Sequence, residues 1–135
     1  MVTQRDEGTR VLGGLKVKDA QVETMTQTAK VGTVTLTIAE LLTKVIDGTP
    51  TAAATYTLPT AALLVGGMKL PAVGDSFQFA VNNKSGGANT ITMAAGSGGT
   101  ADGTLTVAQN VIRLFLVIVT NVTVGSEAYF VYGVG

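Results

Sequence analysis

The side chains of this sequence best suited to chemistry are four carboxylates, Asp47, Asp75, Asp102 and Glu127. A calcium shell or a glycosidase acid–base pair could use them, provided that several converge. Each instead adjoins a glycine or serine at a predicted turn, where an acidic side chain ordinarily caps its own backbone. Histidine, cysteine and tryptophan are absent. That removes a thiol nucleophile, an imidazole base, a zinc site of the usual ligands and any disulfide. Gly96-Ser97-Gly98-Gly99-Thr100-Ala101 fits the loose dinucleotide fingerprint GxGxxA. It runs, however, into the alternating Thr104-Leu105-Thr106-Val107 rather than into the helix that would hold a pyrophosphate. Tyr56, Tyr129 and Tyr132 could stack on a sugar, but scattered over predicted strands they read as core or interface. Asn83-Lys84-Ser85 and Asn121-Val122-Thr123 match the glycosylation pattern, but the N-terminal residues do not read as a secretory signal, so these are expected to be chance matches. The sequence thus predicts no enzyme, no metal site and no cofactor, and points to a binding or structural protein.

The chain of 135 residues reads as one β body preceded by an arm. Nine basic and nine acidic residues cancel, so the positive excess that drives nucleic-acid affinity is missing. The charges are uneven. Residues 1–30 hold nine of the eighteen, namely Arg5, Asp6, Glu7, Arg10, Lys16, Lys18, Asp19, Glu23 and Lys30. We therefore divide the chain into an extended N-terminal arm, 1–30, and a body, 31–135. A body so poor in charge keeps its surface wet with threonine, serine and asparagine, or has other protein covering it. The hydropathy favours the second. Membrane insertion does not account for it: the charge-free run from Gly48 to Met68 is broken by Pro50 and Pro59 and is rich in threonine.

The elements that must position these residues are mostly short strands. Thr33–Thr37, Lys44–Asp47, Thr55–Leu58, Ser76–Val81, Thr90–Met93, Thr104–Val107 and Ala128–Tyr132 alternate or are β-branched, between turn residues. Asn82–Gly87 reads as a loop or hairpin turn and Gly96–Gly103 as a glycine-rich loop. Thr37-Ile38-Ala39-Glu40 matches a capping box, and Thr60 can cap a second short helix ended by Gly66-Gly67. The predicted fold class is all-β, a mainly antiparallel sandwich or barrel of jelly-roll type, with one or two short helices. Val111–Thr120, VIRLFLVIVT, is apolar on both faces apart from Arg113 and the terminal threonine. Its second face needs cover from a helix or another subunit, so Arg113, Phe115 and Val117 are the predicted subunit-interface residues. Arg113 either reaches the rim or meets a carboxylate across that interface.

Three stretches, in order along the chain, resemble structural proteins of tailed bacteriophage heads. They are Thr51–Leu64 (TAAATYTLPTAALL), Val73–Asn83 (VGDSFQFAVNN) continuing into Gly86–Gly96 (GGANTITMAAG), and Val124–Tyr129 (VGSEAY). The family comprises capsid decoration, or cement, proteins and related head-fibre domains. The resemblance implies a homotrimer on the outer surface of the capsid, made in the host cytoplasm, that bridges neighbouring major capsid proteins and stabilises the lattice. It implies no nucleic-acid or membrane partner. Arg5, Arg10, Lys16 and Lys18 are then the expected capsid contacts, with the arm adding a strand to a shell-protein edge. The alternative is a head-fibre, tail-fibre or receptor-binding module that recognises host-surface carbohydrate. A small carbohydrate-active enzyme on a jelly roll is disfavoured by the dispersed carboxylates.

Overall fold

The computed structural model describes the backbone of residues 9–12 and 15–18 and the whole of residues 24–135. Strands β1 (Thr9–Leu12) and β2 (Leu15–Lys18) pair antiparallel, with Leu12 opposite Leu15 and Arg10 opposite Val17. Then follow β3 (Thr26–Lys30), β4 (Val34–Thr35), α1 (Ile38–Leu41), β5 (Lys44–Gly48), β6 (Ala54–Thr57), α2 (Ala61–Gly66) and β7 (Ser76–Asn83). The chain closes with β8 (Ile91–Ala94), β9 (Gly99–Gly103), β10 (Thr106–Val107), β11 (Ile112–Asn121) and β12 (Ala128–Gly133).

From β3 to β11 consecutive strands alternate between two sheets. The larger has the order β3-β5-β7-β11-β12-β9 and the smaller β10-β8-β6-β4. A chain that crosses to the other layer after each strand returns to its first sheet running the same way, so neighbours pair parallel. Five of the eight pairs in these two sheets are parallel. The predicted mainly antiparallel arrangement is therefore corrected to two mixed sheets, and neither closes into a barrel. Asn82–Gly87 is no hairpin, because β8 pairs with β6 and β10 rather than with β7. The glycine-rich stretch expected as a loop becomes strand β9 from Gly99 onward. Thr26–Lys30, assigned to the arm by its place in the charge gradient, is the edge strand β3 beside β5.

This winding gives the body two distinct ends. Both links that carry a helix run from the C-terminus of a small-sheet strand to the N-terminus of a large-sheet strand, so α1 and α2 lie at one end, here called the helix end. Because β3 is parallel to β5, Thr26 also lies there, and its amide donates to the Thr43 carbonyl just after α1 (2.9 Å). Thr37 caps α1 as predicted: its Oγ1 accepts from the Glu40 amide at 3.2 Å while Glu40 Oε2 accepts from the Thr37 amide at 3.0 Å. The same carboxylate pairs with Lys30 Nζ and so ties α1 to β3. Partial burial pushes the Glu40 pKa up, but the Lys30 and Thr37 contacts outweigh it and hold the group below its ordinary value. A depressed carboxylate stabilises the fold above the ordinary glutamate range, and that contribution drains away as pH falls through it. Glu40→Gln is expected to cost about 0.5–1 kcal/mol at pH 7 and to flatten the acid limb of a urea-midpoint-versus-pH curve.

One core fills the space between the layers. Ile46, Phe77, Phe79, Val81, Phe115, Val117, Tyr129 and Val131 come from the larger sheet, and Ala54, Tyr56, Ile91, Met93 and Val107 from the smaller. The alternation that buries these residues sends their neighbours outward, and the two outer surfaces differ. On the smaller sheet, Thr55, Thr92 and Thr106 lie side by side, as do Thr35 and Thr57, so that layer faces water with hydroxyls. The larger sheet does not.

Candidate docking face and cleft

Strand β11 separates its two faces by parity. Phe115, Val117 and Val119 point inward and are at most 1% exposed. Ile112 and Leu114 point outward and are 65% and 46% exposed, with Leu116 and Ile118 half-buried beside them. The predicted interface residues Phe115 and Val117 are therefore corrected. They belong to the chain's own core, where Phe115 stacks on Phe79 with ring centroids 5.5 Å apart. Arg113 sits at the rim and is spent on its own chain: Nε donates to the Thr106 carbonyl (2.8 Å) and Nη1 to those of Val134 and Gly135 (3.1 Å each).

Pairing across the sheet extends the outward residues of β11 into a surface. Leu114 is in register with Ala80 and, through it, Val45. Leu116 lies between Gln78 and Tyr132, and Ile118 between Ser76 and Phe130. Phe130 and Tyr132 touch, with centroids 5.8 Å apart. Met25 joins at the margin, lining a hollow with Val45, Ala80 and Leu114. Among the described residues charge enters this set as Lys44, which lines the same hollow and a second one with Gln78 and Leu116, as Asp102 beyond Tyr132, and as the Asp47–Lys84 pair (3.3 Å) at the end away from the helices. Sequence reasoning anticipated an apolar outer face on β11. It missed Val45, Ala80 and Phe130, which join it through register between strands distant in the chain.

A second candidate lies at the helix end. The end of β4, the start of α1, the β6–α2 link and residues 96–97 enclose a cleft of about 440 Å³, within the range of small-ligand sites. Its walls are apolar (Leu36, Ile38, Leu58, Pro59, Leu63), with hydroxyls from Thr35, Thr37, Thr57, Thr60 and Ser97 and no charged residue. Tyr129 fixes one wall. Its Oη donates to the Pro59 carbonyl and accepts from the Gly96 amide, both at 2.9 Å. Gly99 is required beside it, because an added Cβ would run into the Tyr129 ring. Burial raises the Tyr129 pKa, against a smaller lowering by the Gly96 amide, and burial raises that of Tyr56 as well. A raised phenol stabilises the fold below its ordinary value near 10 and loses that contribution as pH climbs through the folded value. Tyr129→Phe is expected to cost about 1–3 kcal/mol in urea unfolding at pH 7, since it orphans a buried amide and a carbonyl. Buried Tyr56 is expected to leave part of the alkaline loss in place in that variant.

The other chemistry-bearing residues do not converge. Asp75 accepts from the Ala72 amide (2.9 Å), Asp102 from Gly103 (2.7 Å) and Glu127 from Gly125 (2.8 Å), the turn-capping role predicted for them. Asp47 departs from it: on β5 it accepts from Asn82 Nδ2 and Lys84 Nζ, tying β5 to β7. Among the described residues no three metal-binding side chains cluster, and no helix is long and apolar enough to cross a membrane. Tyr56 and Tyr129 are buried and offer no sugar surface. Arg5 lies outside the described residues, as do the side chains of Arg10, Lys16 and Lys18. No family model, curated protein or solved structure matches the chain.

Proposed function

We propose that the protein is a capsid decoration protein, a homotrimer on the outer surface of a phage head that bridges neighbouring major capsid proteins. The observation that carries this reading is the apolar patch on the outer face of the larger sheet, built from Ile112, Leu114, Leu116, Ile118, Phe130 and Tyr132. Contiguous exposed apolar surface of this kind marks an interface, and a chain with zero net charge meets its own copies without repulsion. The threonine-covered smaller sheet is the natural solvent side of such an assembly. Residues 1–23, which hold eight of the eighteen charges, supply a polar segment able to reach a shell protein. The resemblance of Thr51–Leu64, Val73–Gly96 and Val124–Tyr129 to head decoration proteins points the same way. Binding the assembled lattice in preference to free subunits stabilises it by mass action, and three arms per trimer add avidity.

Light scattering on the purified chain tests the assembly. The expected mass is that of three chains of 13.7 kDa, retained when residues 1–23 are deleted; a monomer at high concentration overturns it. Antibody labelling of particles of the virus that encodes the chain tests the location. Label on the head surface is expected, and unlabelled heads overturn the reading.

A further inference from the structure

We propose that Asp102-Gly103 is a site of spontaneous backbone modification, at which aspartate converts through a succinimide to isoaspartate while the body stays folded. The sequence holds two Asp-Gly pairs, Asp47-Gly48 and Asp102-Gly103. Glycine hinders the reaction least, because no Cβ shields its nitrogen. The fold then separates the two pairs. Asp47 is buried, and its carboxylate is held by Asn82 Nδ2 (3.1 Å) and Lys84 Nζ (3.3 Å). Gly48 is enclosed between β3 and β7, in register with Lys30 on one side and Asn83 on the other. Asp102 and Gly103 are both exposed, on an edge strand that pairs on one side only, with β12. The Tyr129 amide donates to the Gly98 carbonyl, and alternation along the ladder from there turns the Gly103 amide toward the open edge. Its acceptor is Asp102 Oδ1 at 2.7 Å, so the nitrogen stands beside the carboxyl carbon that it must attack. Gly103 also sits at φ +81°, outside ordinary strand geometry, at the end of an edge strand where local opening costs least.

With the carboxyl in its neutral form, the Gly103 nitrogen bonds to Asp102 Cγ while the amide proton and the carboxyl hydroxyl leave as water, closing the succinimide ring. Water then adds to one of the ring's carbonyl carbons. Addition at Cγ restores aspartate. Addition at the Asp102 main-chain carbon breaks the bond from that carbon to the nitrogen, and the chain thereafter runs through Cγ. The product has an unchanged mass, an extra methylene in the backbone of β9 and a carboxylate held closer to it. The proposal is independent of the capsid reading, which can fail while this one stands.

Trypsin places the two pairs in separate peptides, because Lys44 and Lys69 bracket the first and Lys84 and Arg113 the second. The full chain is aged in mildly acidic buffer, either folded or in concentrated urea, and then digested. Isoaspartate is read as methyl transfer from S-adenosylmethionine by an isoaspartyl methyltransferase, and as a second chromatographic peak of unchanged mass. Deamidation of Asn89 or Asn110 raises the mass of peptide 85–113 and so is told apart. In the folded chain, peptide 85–113 is expected to accumulate isoaspartate roughly tenfold faster than peptide 45–69, and in urea the two rates converge. Asp102→Glu, which would have to close a larger ring, is expected to abolish the signal in 85–113. Equal ageing of both peptides in the folded chain, a product in 85–113 that forms only in urea, or a signal that survives Asp102→Glu each overturn the proposal.

Discussion

Asn83→Ala is expected to lower the unfolding free energy by about 3–5 kcal/mol, a large part of the roughly 5–15 kcal/mol available to a domain. Asn83 is fully buried at the last position of β7. Its Nδ2 donates to the carbonyls of Asn89 and Val107, both at 2.8 Å, and its Oδ1 accepts from the Ser85 amide at 3.0 Å. The strand β7, the crossing to the smaller sheet and the end of β10 thus meet on one amide. Ser85 extends the network, donating from Oγ to the Pro50 carbonyl (2.8 Å) and accepting from Asn89 Nδ2 (2.9 Å). Among the described residues no buried side-chain polar atom is left unpartnered. Truncation orphans three buried backbone groups at about 1–3 kcal/mol each, less what relaxation recovers. Asn83→Asp keeps the shape but points a carboxylate at two carbonyls. It should be at least as damaging near neutrality and regain stability as acid protonates it. Urea unfolding measures both, and a loss under about 1 kcal/mol for the alanine variant would sink the account.

Such a network shows why parts of the fold were legible in the sequence and parts were not. The capping box at Thr37–Glu40 and the Thr60 cap are local, set by hydrogen bonds three residues apart, and both helices follow from them. Strand positions were legible for the same reason, since alternation is a property of neighbours. Pairing was not. Asn82–Gly87 carries the asparagines and glycines of a hairpin turn, yet Asn83 uses its amide on Val107 of the smaller sheet and Ser85 its hydroxyl on Pro50 in the β5–β6 link. That turns the chain across the core instead of back beside β7. Four of the five parallel pairs follow from this kind of crossing, repeated; β9 and β12 are parallel without being joined by one. For the candidate site, composition said that an outer face needs cover, but assigning the face of β11 required knowing which parity meets Phe79 and Val81. The cleft is built from three separated segments and leaves no pattern in any one of them.

Two adjacent residues of β11 should therefore fail in opposite ways when changed. Phe115→Ala removes a fully buried ring stacked on Phe79 and is expected to cost about 3–5 kcal/mol, as transfer and cavity losses combine. That loss belongs to the fold of each chain, so it persists at every protein concentration. Leu114→Glu changes an outward residue and should leave the stability of an isolated chain within about 0.5 kcal/mol. Yet it buries a charge in any contact made by this face, so the mass expected for the proposed trimer should fall to that of one chain. The thermal midpoint should also lose its dependence on concentration, because that dependence arises only from linked assembly. A Leu114→Glu chain that remains trimeric removes the larger sheet from the interface. A Phe115→Ala chain of undiminished stability moves that ring out of the core and restores it as a candidate contact. The pair of measurements works because a β-strand puts successive residues on opposite faces, so one peptide bond separates a residue that holds the chain's own core from one that the proposed assembly would bury.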